Sequence, residues 1–188
     1  MKTIFKSLLL ITFVGFFCLE AVADGHARQK LSVQPHKIYP KMVDAAETGD
    51  WEKLSNALKL LKPLSDEIKE KTKKDIDKEL RTAIANKQKS IVKDKVLAYM
   101  GFAIKSLLHI AQKESNPLSK KGMVKQAFTE FTVLADYFNK IDSGTTAAIM
   151  DEFRIFYTKI STATSKQEFI TTAVIIRREI QAVLDKLK

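Results

Sequence analysis

Cysteine is almost absent from the 188-residue sequence, in which Cys18 is the single thiol. One cysteine cannot form a disulfide within the chain, and the paired-cysteine spacings that bind zinc are excluded with it. Only six glycines are present, and none belongs to a phosphate-binding loop. The nucleophile elbow of hydrolases and the His-Glu-x-x-His pattern of zinc peptidases are missing as well. The fold must therefore rest on its apolar core, and we expect no enzymatic function.

The first 23 residues are predicted to be a cleavable secretory signal peptide. Lys2 and Lys6 precede an apolar run over residues 8–19, and Ala21 and Ala23 are small residues at the two positions that signal peptidase reads. The apolar run is about a dozen residues long, whereas a membrane-spanning helix needs roughly 20. We therefore expect an exported protein, periplasmic or extracellular, with no transmembrane segment in the mature chain.

Basic residues outnumber acidic ones, with 32 Lys and Arg against 22 Asp and Glu. Cleavage after Ala23 removes Lys2, Lys6 and Glu20, which leaves 30 basic and 21 acidic residues, a net charge of +9. A basic exported protein is attracted to anionic lipid head groups, cell-wall polymers or acidic partner proteins. Nucleic acid is not expected as a partner there. The same charge would also serve solubility alone.

Residues 24–40 are predicted to be a flexible leader because they are polar and contain Gly25, Pro35 and Pro40 without sustained periodicity. Residues 41–188 are predicted to form one helical domain, whose size is within the usual range for a single core.

Apolar residues at spacings of three and four predict helices throughout this domain. The first segments are a short helix over 41–48, a helix that begins after Asp50, and an amphipathic helix over 64–87, with a break near Thr72 as an alternative. Residues 90–113 are apolar on nearly all sides, which is typical of the middle of a bundle. Three more helices carry apolar stripes: Val124, Phe128, Phe131, Ala135 and Phe138; Ile149, Phe153, Phe156 and Ile160; Phe169, Ala173, Ile176, Ile180, Val183 and Leu187. We predict an all-α, up-and-down helical bundle of about five or six helices.

His109 is the one histidine within the predicted domain, and it lies on a polar strip with Lys105 and Gln112. It would be a metal or haem ligand between helices if a second ligand came from a neighbouring helix. The candidates for that ligand are Glu130, Tyr137, Glu152 and Tyr157. A half-exposed polar role is favoured instead, because the ammonium of Lys105 repels a bound cation.

Cleavage after Ala23 would create the amino terminus Asp24-Gly25-His26. The terminal amine, two backbone nitrogens and the imidazole at the third position form a square-planar nitrogen set, which suits Cu(II) or Ni(II). His36 would be a further ligand. A histidine at this position also occurs by chance, so a metal site here is the second hypothesis.

Three further groups of side chains have a functional and a structural interpretation. Glu130, Asp136, Asp151 and Glu152 are interpreted as solvated carboxylates. The aromatic side chains of the later helices would line an apolar-ligand pocket, but packing in the core is favoured. The basic residues near Lys93 and Lys121, and the pair Arg177-Arg178, would bind an acidic partner or form a solvated surface.

These observations lead to three functional hypotheses. The first is an exported helical-bundle interaction or scaffold protein that binds an envelope protein or an anionic surface. The second is a metal-handling protein for Cu(II) or Ni(II). The third is a carrier of an apolar ligand. Oligomeric state is not predicted.

Overall fold

The computed structural model describes residues 34–159 and 165–187, and every regular element within these ranges is an α-helix. The eight helices are α1 (Pro35–Thr48), α2 (Trp51–Leu60), α3 (Lys62–Thr72), α4 (Lys78–Ala85), α5 (Lys89–Lys113), α6 (Pro117–Phe138), α7 (Ser143–Lys159) and α8 (Lys166–Leu184). The all-α class is confirmed, whereas the predicted number of five or six helices is wrong. The predicted signal peptide lies outside the described residues.

Helix α1 begins inside the segment that was predicted to be a flexible leader. Residues 35–40 are helical, and the side chain of Tyr39 is fully buried together with those of Met42 and Val43. Pro35 is tolerated because it occupies the first turn, where a backbone N–H has no helical acceptor. Tertiary burial of this apolar stripe outweighs the local proline signal. Residues 24–33 lie outside the described ranges.

The single helix predicted over residues 64–87 is divided into α3 and α4. Lys73 ends α3 in the left-handed conformation, with φ of 61° and its N–H donating to the carbonyl of Lys69. A five-residue loop, 73–77, then leads to α4. Charged residues occupy most of the 73–77 loop, so the apolar stripe is too sparse there to stabilise one continuous helix. The alternative of a break near Thr72 is confirmed.

Several helix ends have local signals that the sequence carries. Asp50 caps α2 by accepting from the N–H of Lys53 at 3.0 Å, and Ser165 forms a reciprocal capping box with Glu168 at the start of α8. Gly49 ends α1 with φ of 76°, a conformation that costs glycine little. These caps fix where the helices begin and end.

Helix α5 is the centre of the fold. It packs against α1, α3, α4, α6 and α8, and thirteen of its residues are buried. Gly101 allows α8 to approach α5 closely, because a Cβ at this position would lie 2.9 Å from Cδ2 of Leu184. The predicted central position of residues 90–113 is thereby confirmed.

The apolar stripes of α6, α7 and α8 meet in an aromatic core. The ring centroid of Phe131 lies 5.4 Å from that of Phe153 and 6.2 Å from that of Phe138. The ring centroids of Phe156 and Phe169 are 4.8 Å apart. Burial of each large apolar side chain contributes about 1.5–3 kcal/mol to the free energy of unfolding.

None of the helices in the described ranges combines the length and apolar character needed to cross a bilayer.

Candidate functional site

A cleft of about 420 Å³ lies beside the central helix, bounded by the 73–77 loop and α4 on one side and by α8 on the other. Its volume is within the range of about 300–1,000 Å³ that is typical of small-molecule sites. The α5 residues that line it run from Lys95 to His109, about 21 Å at 1.5 Å per helical residue. The cleft is therefore elongated along α5.

One end of the cleft is lined by basic side chains from two helices. Lys105 and His109 come from successive turns of α5, and Arg177 comes from α8. Nη1 of Arg177 donates to Oε1 of Gln112 at 3.1 Å, and Nζ of Lys105 donates to Oε1 of Gln181. Within the described ranges no carboxylate forms an ion pair with either cation. Neutral amides hold these two side chains in place, and the charge of Asp185 offsets that of Lys105 only in part.

Two buried nitrogen atoms at this end have no hydrogen-bond partner in the described part of the chain. They are Nδ1 of His109 and Nε of Arg177. A buried polar atom without a partner costs about 1–3 kcal/mol. Both atoms belong to residues that line the cationic end of the cleft.

The electrostatic environment disfavours further positive charge at this end. Burial lowers the pKa of Lys105, and the charges of Arg177 and Lys74 lower it further. Burial, Arg177 and Lys113 lower the pKa of His109, although its hydrogen bond with Gln112 acts in the opposite direction. Burial also lowers the pKa of Arg177. The cationic end is thus positively charged and partly desolvated, and a negative group there would offset the positive charge.

The acidic residues of the cleft lie on the other side and are already paired. Asp75 accepts from Lys69 at 2.8 Å and from Arg81 at 3.2 Å, and Glu79 accepts from Lys95 at 2.7 Å. Four cationic side chains line the cleft against these two carboxylates, since Lys74 also belongs to it. The surplus of positive charge is therefore a property of the Lys105 end.

Apolar side chains form the middle of the cleft. Leu80 and Tyr99 are buried in its wall, whereas the ring of Phe102 is 37 % exposed. Nζ of Lys105 lies 5.1 Å from the centroid of that ring. Phe102 is one of few large apolar side chains that remain exposed. The cleft thus offers an apolar wall directly beside its cationic end.

The structure places His109 among cations rather than carboxylates. Glu130, which was considered as a partner ligand, bonds instead with Tyr39 and Gln126. Across residues 34–159 and 165–187, no three His, Cys, Asp or Glu side chains are grouped closely enough to hold a metal ion. Asp24, Gly25 and His26 lie outside these ranges, so the Cu(II) or Ni(II) site stays a prediction. His36 is half-buried in the first turn of α1.

The interpretation of Glu130 as a solvated carboxylate is wrong. Its side chain is 0 % exposed, because it lies on the buried face of α6, three residues after Ala127 and four before Leu134. Asp136 and Asp151 are exposed as expected. The alternative of an aromatic-lined pocket between the later helices is not supported there, since Phe131, Phe138, Phe153 and Phe156 are packed in the core.

Sequence reasoning found half of the cationic end and missed the other half. The strip of Lys105, His109 and Gln112 was visible from its helical spacing, and it does line or support the cleft. For Arg177 the sequence predicts only a place in the basic pair with Arg178. Its partner in a second strip is Gln181, four residues later, and that spacing was the available signal. Contact between the two strips depends on the packing of α5 against α8.

Comparisons of the chain with protein-family models, with curated proteins and with solved structures find no match. The geometry of the cleft is therefore the basis for the function proposed below.

Proposed function

We propose that this chain is a binding protein whose cleft accepts an anionic group of its ligand or partner. The observation that supports this most directly is the pair Lys105 and Arg177, which face one cleft from two helices without a carboxylate partner in the described ranges. Charge-assisted hydrogen bonds from such groups are about twice as strong as neutral ones.

The leading hypothesis from the sequence is an exported interaction protein that binds an acidic partner or surface. We propose that the cleft is where this binding takes place. An exported interaction protein that binds an acidic partner would have its positive charge concentrated at a recess. Lys93 and Lys95 are less suited to this role, because Lys93 is paired with Glu47 and Lys95 with Glu79. We propose that the protein is exported, periplasmic or extracellular, and meets acidic envelope components there.

Titration of the ¹⁵N-labelled protein with acetate, inorganic phosphate and a glutamate-rich peptide tests this proposal. We expect amide shifts in residues 102–109 and 173–181, because an anion in the cleft alters their electrostatic environment. Arg177→Gln should weaken binding at least tenfold, since it removes a charge-assisted interaction.

Arg178→Gln is the matched control. Arg178 has the same charge and is adjacent in sequence, but it is 72 % exposed and pairs with Glu179. It should bind as the unaltered protein does. Shifts spread over all basic surfaces, with equal affinity in the two variants, would overturn the proposal.

A further inference from the structure

The cationic end of the cleft has a defined donor geometry. Arg177 uses Nη1 for Gln112, so the edge formed by Nε and Nη2 has no acceptor among the described residues. Nε is buried, so Nη2 of Arg177 and Nζ of Lys105 are the donors left for the two oxygens of a carboxylate. Nζ of Lys105 has one donor directed at Gln181 and two more to offer.

The charge at this end suits a single negative charge. Lys105 and Arg177 supply two partly buried cations, and Lys74 supplies a third that is exposed and therefore screened by water. His109 lies beside them, and burial and the charge of Arg177 disfavour its positive form. Asp185 lies close enough to Lys105 to offset part of the field. A carboxylate carries one charge, whereas a phosphate monoester carries about 1.5–2 near neutral pH. The balance of groups therefore favours the carboxylate.

The rest of the cleft is suited to an apolar body. Phe102, Ala98 and Leu80 follow the cationic end along the cleft, and the exposed ring of Phe102 stands next to the ammonium of Lys105. Beyond them Lys95 and Glu79 close the far end as an ion pair. A ligand that fills this space is elongated, with its charge at one end.

We infer that the ligand of the cleft is an elongated monocarboxylic acid with an apolar body. Its carboxylate binds Lys105 and Arg177, and its body lies against Phe102. Nη2 of Arg177 and Nζ of Lys105 each donate to one carboxylate oxygen, while Nη1 keeps its bond to Gln112. This inference rests on the proposed function, because it specifies which anionic group the cleft takes.

Straight-chain monocarboxylic acids of increasing length, titrated by calorimetry below their micelle concentrations, test the inference. The affinity should rise about fourfold for each methylene that is buried and level off when the cleft is full. Decanol, which has the body without the charge, and acetate, which has the charge without the body, should both bind far more weakly than decanoate. Decyl phosphate should bind no more tightly than decanoate.

Variants distinguish the contribution of the ligand's carboxylate to the affinity from that of its apolar body. Phe102→Ser should lower the affinity for decanoate at least tenfold and leave that for acetate unchanged. Leu118→Ser is its control, because Leu118 is 69 % exposed and does not line the cleft. Arg177→Gln should weaken both acids, and Arg178→Gln should weaken neither.

The outcomes distinguish the inference from the proposed function. If acetate and phosphate bind at the cleft but affinity does not depend on chain length, the inference fails and the proposed function stands. Tighter binding of decyl phosphate than of decanoate also overturns the carboxylate assignment. If none of these anions binds, both fail.

Discussion

The hydroxyl of Tyr39 donates a hydrogen bond of 2.9 Å to Oε2 of Glu130, and neither side chain reaches solvent. The bond joins α1 to α6 across 91 positions of sequence. The amide of Gln126 donates to the other carboxylate oxygen at 2.8 Å. Burial raises the pKa of Glu130 to about 7, although both hydrogen bonds lower it. Glu130 thus binds its proton more tightly in the folded protein than in the unfolded chain.

This relationship predicts that the free energy of unfolding falls as the pH rises from about 4.5 to about 7. The contribution of Glu130 is fully present below its unfolded pKa of 4.5 and is lost as the pH passes its folded pKa. The loss is up to about 3 kcal/mol, at about 1.36 kcal/mol per pKa unit. Urea denaturation across this pH range measures it.

Two variants test whether Glu130 causes this pH dependence of the free energy of unfolding. Glu130→Gln should flatten the pH dependence, because the amide does not titrate. Tyr39→Phe should move the decline to higher pH, since the lost hydrogen bond lowers the pKa of Glu130 in the native protein. A decline that survives in Glu130→Gln would assign it to another residue.

Gly101 is predicted to be sensitive to a single added methyl group. In Gly101→Ala the new Cβ would lie 2.9 Å from Cδ2 and 3.0 Å from Cδ1 of Leu184, so α8 or the leucine must shift. Overpacking costs about 1–3 kcal/mol, against a gain in helix propensity of about 1 kcal/mol. We expect a net loss of up to about 2 kcal/mol in thermal or urea unfolding.

Two comparisons isolate the contact at Gly101. In a Leu184→Ala background the same Gly101→Ala change should stabilise by about 1 kcal/mol, because propensity alone then acts. Gly122→Ala should stabilise similarly in the unaltered protein, since no atom lies within 4 Å of its added Cβ. Equal effects of Gly101→Ala with and without Leu184 would contradict the steric argument.

Lys73→Gly should stabilise the protein. Lys73 has φ of 61°, and a left-handed residue with a Cβ costs about 1–2 kcal/mol, part of which glycine regains at a helix end. A gain of about 1 kcal/mol in urea denaturation is expected. Lys73→Ala removes the same charge but keeps the Cβ, so it should give no such gain. Matching gains in both would point to charge rather than to backbone conformation.

Binding of a carboxylate in the cleft should take up protons through His109. Its pKa is lowered by burial and by the cations around it, Arg177, Lys113 and Lys74, and a bound anion would raise it. Affinity should therefore fall as the pH rises through the pKa of His109 in the complex, which lies above its pKa in the free protein. Calorimetry in buffers of different ionisation enthalpy measures the uptake.

His109→Gln should abolish the proton uptake while leaving the bulk of the affinity at higher pH. His36→Gln is the control, because His36 is on α1 and does not line the cleft. Uptake that disappears in the His36 variant, or persists in the His109 variant, would refute the assignment.

The helices and their buried faces were largely predictable because they depend on local periodicity. Phe131, Phe153, Ile176 and Ile180 are buried where their spacing placed them. Residues 35–40 were not predictable as helix, because their helical state depends on the burial of Tyr39 against distant parts of the chain. Glu130 was misjudged for the same reason, since its partner is 91 positions away.

The candidate site was predictable only in part. The polar strip on α5 could be read from spacing, but a strip alone does not show whether it faces solvent or a recess. Arg177 completes the cationic end through the contact of α5 with α8, which depends on the closeness that Gly101 permits. Such a pairing of remote segments leaves no periodic signal in the sequence.

The 73–77 loop, which forms one wall of the cleft, is also a position for a reporter group. The described residues contain no cysteine, and Cys18 is the sequence's single thiol. In a chain carrying Cys18→Ser, a cysteine introduced by Lys74→Cys could be labelled alone with an environment-sensitive fluorophore. Lys74 is exposed and lines the cleft, so the label would stand at its rim without entering the core. Occupancy of the cleft would then be readable as a change in emission, in mixtures too complex for calorimetry.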